Sequence, residues 1–321
     1  MNKIENKKIA IIGGKGFLGT SLAEDLAKNK IKYKIFDKKS INESYFDITN
    51  FNDFKKLQNY DVWINLAAVH RDDEPKHLYD EVNVNGAKLL CKAAEEYGVQ
   101  HLIFTSSVAI YGFAPEGTDE SGAPNYFNDY GRTKYLAERV YIDWYKKDSN
   151  NKNLVIIRPT VIFGEGNRGN VYNLLNQISS KKFLMIGDGK NNKSMAYVKN
   201  VSAFIEHCLS FEKNLHIYNY IDKPDMDMNT LVSNARGLLF NKKNIGLRLP
   251  SFIGFLIGRF ADILSSLSGI KLPISSIRVE KFMKTTSFNS SISETGFIPP
   301  YTLETAFEKT IRYEFKKNKL K

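Results

Sequence analysis

The sequence predicts an α/β fold: a Rossmann-type doubly wound parallel sheet with a smaller C-terminal α/β lobe that binds substrate. The apolar run of residues 9–12 leads directly into a glycine-rich turn and a helical segment. Two further apolar runs, residues 61–68 and 101–107, resemble buried strands. Helix-like segments separate these runs, and this alternation is typical of a parallel sheet that binds ligands beyond the carboxyl ends of its strands.

The first element is a glycine-rich turn between the first strand and the first helix. Gly13, Gly16 and Gly19, at three-residue spacing, allow a sharp turn and a close approach to a diphosphate. The helix that follows points its N-terminus at the same negative charge, and Phe17 and Leu18 lie within this segment. The turn therefore predicts a dinucleotide site, although the commoner spacing is Gly-x-Gly-x-x-Gly.

The second strand ends in Asp37, about 20 residues beyond the turn, where a carboxylate accepts hydrogen bonds from a ribose diol. Because a carboxylate repels a 2′-phosphate, Asp37 favours NAD. Lys38 and Lys39 follow at once and can attract that phosphate, so NADP stays open. Asp47 and Ile48 are predicted to contact the adenine, with capping of a short strand as the alternative for Asp47.

A candidate acid/base pair is formed by Tyr130 and Lys134. On a helix, residues four apart share one face, which places the phenol beside the ammonium group. A free phenol has a pKa near ~10, and a neighbouring cation favours the phenolate. Ser107 lies at the predicted end of its strand, where ligands bind. These residues predict a catalyst that exchanges the proton of an alcohol or ketone.

In these features the chain resembles the extended short-chain dehydrogenase/reductase family, in its nucleotide-sugar epimerase and reductase branch. The resemblance implies that Tyr130 exchanges the proton of a sugar oxygen, that Ser107 donates a hydrogen bond to that oxygen, and that Lys134 holds the nicotinamide ribose and lowers the tyrosine pKa. The motifs that carry the resemblance are residues 13–19, 65–68, 83–86, 104–112, 130–134 and 158–164.

The same resemblance implies further ligand contacts. The cofactor is expected to touch Leu66, Ala67, Ala68, Asn83, Pro159 and Thr160. The diphosphate and sugar of the substrate are expected to touch Arg168, Asn170, Val171, Lys193 and Arg278. Lys193 stands where relatives often have an arginine, and a lysine lacks the bidentate fork for phosphate. Arg168 and Arg278 have surface charges as their alternative interpretation.

One difference from the family limits the reactions that this chain is expected to catalyse. The 4,6-dehydratases of this family place Asp-Glu after the hydroxyl residue, whereas Val108 and Ala109 follow Ser107 here. This argues against dehydration and favours NAD-dependent epimerisation or oxidoreduction at sugar C4. Two alternatives remain: an NAD(P)H-dependent nucleotide 4-keto-sugar reductase in surface-polysaccharide biosynthesis, and a non-catalytic nicotinamide sensor.

Composition and segmentation complete the picture. Residues 1–165 are predicted to form the dinucleotide-binding domain, to which 195–223 return; 166–194 and 224–315 form the substrate lobe, and 316–321 a basic tail. The formal charge of +11 is attributed to solvated flanks and an anionic substrate, not to nucleic acid. The two cysteines predict neither a disulfide framework nor a metal site. The N-terminus has no apolar region of signal-peptide length, so a cytoplasmic location is expected.

Two expectations concern surfaces. The apolar segment 251–264 follows helical spacing, and packing in the core or as a substrate lid is favoured over lying on a membrane. A homodimer is implied by the resemblance, through helices near residues 79–90 and 134–145.

Overall fold

The computed structural model describes residues 7–71, 74–268 and 275–316, without the side chains of Arg278 and Lys281. A six-stranded sheet is formed by β1 (Ile9–Ile12), β2 (Tyr33–Phe36), β3 (Val62–Asn65), β4 (His101–Thr105), β5 (Asn153–Pro159) and β9 (Leu215–Tyr220). The strands lie in the order β2-β1-β3-β4-β5-β9, and every neighbouring pair is parallel. The predicted Rossmann-type sheet is therefore confirmed.

The sheet is apolar on both faces because successive side chains of a strand point to opposite sides. In β1, Ala10 and Ile12 belong to one hydrophobic cluster, while Ile9 and Ile11 belong to a second. All four side chains are at most 1% exposed. A strand buried on both faces, such as β1, therefore requires a continuous apolar run. Strands β3 and β4 are shorter than the apolar runs 61–68 and 101–107 from which they were predicted.

Helices connect and flank the strands. The α-helices are α1 (Phe17–Lys28), α2 (Lys76–Leu78), α3 (Gly86–Glu96), α4 (Asp129–Lys146), α5 (Asn170–Ser179), α6 (Val198–Cys208), α7 (Met228–Phe240), α8 (Ser251–Ser268), α9 (Ser276–Met283) and α10 (Leu303–Ile311). The π-helical segments are Tyr79–Asn85 and Arg312–Lys316, and the 3₁₀ segments are Asn42–Ser44, Phe51–Leu57, Val108–Tyr111 and Ile292–Thr295. The remaining strands are β6 (Val161–Phe163), β7 (Met185–Ile186), β8 (Asn192–Tyr197), β10 (Asp222–Asp227) and β11 (Arg248–Leu249).

The chain divides into two compact units. The first contains the described residues of Met1–Ile162, Ala196–Asp222 and Phe288–Tyr301; the second contains those of Phe163–Met195, Lys223–Ser287 and Thr302–Lys321. Residues 288–301 thus lie in the first unit, whereas the sequence predicts that they belong to the substrate lobe. Side-chain hydrogen bonds hold them there: Asn219 Nδ2 donates to the Asn289 carbonyl, and Ser290 Oγ donates to the Asn219 carbonyl. Such long-range bonds leave no local sequence pattern. Most of the predicted basic tail, residues 317–321, lies outside the described residues.

Helix α8 differs from its prediction. Its buried residues are the small ones, Gly254, Gly258 and Ala261, whereas most of its large apolar side chains are exposed. The prediction that this segment packs into the core is therefore wrong, and its alternative, a substrate lid, stays a prediction. In the described part of the chain, α8 is the one helix long and apolar enough to cross a membrane, by length and composition alone. We use "the α8 stripe" for its exposed residues Phe252, Leu256, Ile257, Phe260, Ile263, Leu264 and Leu267.

Candidate active site

Most of the predicted site residues of the first unit follow the carboxyl ends of neighbouring strands. Gly13 follows β1, Asp37 follows β2, and Leu66 begins the segment after β3. Ser107 and Thr160 come after β4 and β5. Because these five strands are parallel, their carboxyl ends form one edge of the sheet, which is where doubly wound folds bind ligands.

The glycine turn is held against the chain that leaves β3. Gly13 has φ +78°, and a Cβ built on it would lie 2.6 Å from the Ala67 backbone nitrogen. Gly16 is the N-cap of α1, and no side chain caps this helix end. The first turn of α1 is therefore open to an anion, and any larger residue at position 13 would displace the turn that leads to it.

Replacing Gly13 with alanine should lower NAD affinity by at least about tenfold, because the added methyl group overlaps backbone that cannot yield. The affinity can be measured by isothermal titration. Gly98→Ala is the matched control: Gly98 has φ +69°, yet nothing lies within 4 Å of its Cβ position. The control should reduce stability by about 1 kcal/mol and leave NAD affinity unchanged. Equal NAD affinity of the Gly13 variant and the wild type would contradict the role given to the turn.

Asp37 faces the glycine turn. Its carboxylate accepts hydrogen bonds from the backbone amides of Lys15 (3.0 Å) and Lys39 (2.8 Å). Lys38 Nζ lies 2.9 Å from Asp47 Oδ2, so one of the two cations that could attract a 2′-phosphate is neutralised by a carboxylate. This arrangement favours NAD over NADP. Ile48 is buried, and a Cβ on Gly86 would lie 3.1 Å from its side chain.

Asn83 is a clamp behind the site. Its Oδ1 accepts a hydrogen bond from the Val69 amide (2.9 Å), and its Nδ2 donates to the Val69 carbonyl (3.0 Å) and to Thr133 Oγ1 (3.0 Å). The side chain is only 4% exposed. Asn83 therefore connects the segment after β3 to helix α4, and its polar atoms serve this connection.

Helix α4 carries Tyr130 and Lys134. It begins where Asn128 Oδ1 accepts a hydrogen bond from the Gly131 amide (2.9 Å). A Cβ on Gly131 would lie 2.4 Å from the Ala109 carbonyl oxygen, so glycine allows α4 to approach the segment that starts with Ser107. The Ser107 side chain lies close enough to Tyr130 to lower the pKa of its phenol, and Ser107 Oγ accepts a hydrogen bond from the Ala109 amide (3.1 Å). The two oxygens that would hold one substrate oxygen are thus already adjacent.

Lys134 is buried beneath this pair. Its ammonium group donates to the Thr105 carbonyl (2.8 Å) and lies 5.9 Å from the centre of the Tyr130 ring. Burial lowers the pKa of Lys134 to about 7, against the opposing effect of the Glu138 carboxylate. Burial also raises the pKa of Tyr130 to about 12, although the Ser107 side chain acts in the other direction. The expected lowering of the tyrosine pKa by Lys134 is therefore absent, because desolvation dominates at both groups.

Several groups around the catalytic side chains were not identified from the sequence. Arg158 and Glu138 form a buried two-point ion pair, with N–O distances of 2.9 and 2.7 Å. Among the described residues, Thr105 Oγ1 and Ser106 Oγ are buried without a hydrogen-bond partner. One sequence signal points to Glu138: it follows Lys134 by four residues on the same predicted helix.

These features fit an NAD molecule. The open N-terminus of α1 suits a diphosphate, Asp37 suits a ribose diol, and the two unpartnered hydroxyls just before Ser107 suit a polar ligand. Pro159 is buried, and Thr160 donates through its amide to the Tyr220 carbonyl (3.0 Å). The predicted positions of Ala68 and Thr160 agree with this edge of the sheet, although their contacts with a cofactor remain predictions.

The predicted substrate residues lie in the second unit. Arg168 pairs with Glu314 (3.0 Å), and its guanidinium lies 4.3 Å from the centre of the Tyr172 ring. Asn170 and Val171 begin α5, whose N-cap Gly169 provides no side-chain cap. An uncapped helix N-terminus suits a phosphate.

Lys193 lies in β8, where its ammonium group donates to the Lys284 carbonyl. Burial lowers the pKa of Lys193 to about 8. Arg278 belongs to α9, and its side chain lies outside the described residues.

Comparisons with known proteins agree with this geometry. The model of the NAD dependent epimerase/dehydratase family matches residues 9–220. The chain is 44% identical over 320 residues to N-acetyl-alpha-D-glucosaminyl-diphospho-ditrans,octacis-undecaprenol 4-epimerase of Escherichia coli O157:H7, covering 97% of this chain and 96% of that protein. It is 28% identical over 328 residues to UDP-glucose 4-epimerase of Vibrio cholerae, covering 95% and 94%.

Solved structures share the fold at lower identity. MoeE5 in complex with UDP-glucuronic acid and NAD has a TM-score of 0.76 at 18% identity, covering 97% of this chain and 99% of that one. UDP-N-acetylglucosamine 4-epimerase from Bacillus cereus has a TM-score of 0.75 at 17% identity, covering 95% and 98%.

Proposed function

The chain belongs to the NAD-dependent epimerase/dehydratase family, and from this membership we propose that it inverts the configuration at C4 of a sugar joined to a diphosphate. The observation that carries the proposal is the set of Ser107, Tyr130 and Lys134 beside an NAD-fitting turn. The sequence contains all three residues, and in the structure the Ser107 and Lys134 side chains both lie close to Tyr130.

The residues divide the chemistry as follows. The Tyr130 oxygen takes the proton from the C4 hydroxyl as the C4 hydrogen leaves, and returns a proton to the same oxygen after the sugar has turned over. Ser107 donates a hydrogen bond to that oxygen in its ketone form. Lys134 would hold the nicotinamide ribose below the phenol. NAD, when bound, supplies the acceptor and donor of hydride at C4.

Epimerisation is favoured over the two alternatives. The 44% identical relative is a 4-epimerase, and the two chains align over nearly their whole lengths. No carboxylate stands at Val108 or Ala109, which disfavours elimination of water. A non-catalytic sensor would not need Tyr130 and Lys134 together in one buried arrangement.

The proposed substrate is an N-acetylhexosamine carried on a diphosphate, with a polyprenyl chain as its carrier, as in the name of the E. coli relative. A nucleotide carrier, as in the V. cholerae relative, is the alternative. In either case the open N-terminus of α5, at Asn170 and Val171, is the proposed diphosphate contact, with Lys193, Arg168 and Arg278 as further candidate cations. The product would enter surface-polysaccharide synthesis at the cytoplasmic face of the membrane.

The test is incubation of the purified protein, without added nicotinamide, with N-acetylglucosaminyl-diphospho-undecaprenol or with UDP-N-acetylglucosamine. We expect the C4 epimer from the lipid-linked sugar, detected by hydrolysis and chromatography of the released sugar. Stoichiometric consumption of NADH or NADPH with a 4-keto substrate would instead identify a reductase. Absence of turnover with either carrier would contradict the proposal.

A homodimer is also proposed, through the segments 79–90 and 134–145. In the structure these segments form Tyr79–Asn85, α3 and part of α4. Light scattering at micromolar concentration should give twice the mass of the 36.6 kDa chain. A monomer mass would contradict this proposal and leave the proposed reaction unaffected.

A further inference from the structure

Helix α8 exposes its large apolar side chains, which is the reverse of what a helix on the surface of a soluble protein does. Such a helix normally turns its large apolar side chains towards the core and its polar ones outward. In α8 the exposed fractions are 63% for Phe252, 62% for Leu256 and 64% for Phe260. Since these residues are spaced four apart, their side chains lie along one face. A continuous exposed apolar face of this kind marks an interaction surface.

The opposite face of α8 is seated on protein. A Cβ on Gly254 would lie 2.4 Å from Ile186, and one on Gly258 would lie 2.8 Å from the Ser276 backbone. Asp262 accepts hydrogen bonds from the amide and hydroxyl of Ser276. Because the face with Gly254, Gly258 and Ala261 packs on protein, α8 is not surrounded by lipid on all sides as an isolated spanning helix would be. It presents a single face, as an interfacial helix does.

The sequence around the stripe is predominantly basic. Residues 228–284 contain nine Lys or Arg and two Asp or Glu, which amounts to seven of the chain's formal net charge of +11. Lys271 and the side chains of Arg278 and Lys281, which are part of this count, lie outside the described residues. Lys242, Lys243 and Arg248 are exposed just before α8, and Arg259 is exposed within it. A shallow cleft of about 520 Å³ is lined by Phe252, Phe255, Leu256 and Arg259. An apolar face that carries Arg259 beside it, and that follows three exposed cations in the sequence, is complementary to an anionic lipid surface.

We propose that the α8 stripe docks this chain on the surface of an anionic phospholipid bilayer. The apolar side chains enter the boundary between headgroups and acyl chains, while the neighbouring cations contact lipid phosphates. All the observations behind this inference come from the second unit. The inference also extends the proposed function, because an enzyme that acts on a lipid-linked sugar has to reach a membrane surface.

The test is flotation of the full chain with vesicles of phosphatidylcholine, either alone or mixed with phosphatidylglycerol. We expect the chain to float with the mixed vesicles and to be released by high salt, which screens the charge component. The variant Phe252→Ser/Leu256→Ser/Phe260→Ser should bind vesicles at least about tenfold more weakly, because it loses apolar surface that enters the interface. Recovery of the wild-type chain in solution with mixed vesicles would overturn the proposal, as would undiminished flotation of the triple variant.

Ile298→Ser is the matched control, because Ile298 is 84% exposed and lies in the first unit. It should float like the wild type. Circular dichroism and NAD binding check that the triple variant is folded, which is expected because the three side chains are exposed. A fall in the oligomer mass of the triple variant, with no flotation of the wild type, would assign the stripe to a second copy and overturn the proposal.

The docking proposal and the proposed reaction are tested by different experiments. Flotation requires no turnover, so a Tyr130→Phe chain should float normally. Epimerisation of the lipid-linked sugar in detergent without any flotation would refute docking and leave the reaction standing. Flotation without turnover on either sugar carrier would do the reverse.

Discussion

Tyr130→Phe should reduce turnover by about 10²–10⁴-fold, the usual contribution of a positioned general acid/base. The substitution removes one oxygen and keeps the ring, so α4 and the glycine turn should be unchanged. The variant should therefore bind NAD as tightly as the wild type. Initial rates with the lipid-linked sugar, together with NAD titration, measure the two quantities separately.

Tyr145→Phe provides the control for this substitution. Tyr145 lies on the same helix, and its hydroxyl is 3.4 Å from Asn214 Oδ1, a weak contact near the surface. The control should keep nearly full activity. If the Tyr130 variant retained wild-type turnover, the assignment of this phenol as the acid/base group would be wrong.

Glu138→Ala should reduce the free energy of unfolding by about 3–5 kcal/mol, the cost of removing one partner of a buried ion pair. The Glu138 and Arg158 side chains are 1% and 9% exposed. Without the carboxylate, the Arg158 guanidinium would keep two hydrogen-bond partners among the described residues, the Tyr111 hydroxyl (2.6 Å) and the Glu120 carbonyl (3.2 Å). Urea unfolding followed by circular dichroism measures the loss.

Glu43→Ala is the corresponding surface control. Glu43 pairs with Lys34 at 3.4 Å, but the Lys34 and Glu43 side chains are 36% and 89% exposed. Breaking such a pair should change stability by about 0–1 kcal/mol. A similar, small effect of both substitutions would mean that the Arg158 pair is hydrated and contributes little. The double variant Glu138→Leu/Arg158→Met should recover much of the stability, since it leaves no unpaired buried charge.

The parts of the site that could be predicted are those with short sequence spacing. The glycines of residues 13–19, the carboxylate of Asp37 and the Tyr130–Lys134 pair each depend on a local rule: a turn, the end of a strand or one helical turn. The parallel sheet then brings these local signals together at one edge. For this reason the fold class, and the position of the glycine turn and Asp37 at one edge of the sheet, could be predicted without coordinates.

The features that were missed depend on direction or on distant partners. Helical spacing showed that the large residues of α8 share a face, but it does not say whether that face points inward. Gly254 and Gly258 decide this, because small residues allow the close packing that turns the larger ones outward. Likewise, Glu138 and Arg158 lie 20 residues apart in sequence. The raised pKa of Tyr130 reflects burial, which a sequence does not display.

The clamp formed by Asn83 gives the molecule an internal reporter. The Val69 amide hydrogen, held by Asn83 Oδ1, can be replaced by deuterium only when that clamp opens. The same Asn83 side chain donates a hydrogen bond to Thr133 on helix α4. Deuterium uptake at the Val69 amide therefore reports when the segment after β3 separates from α4.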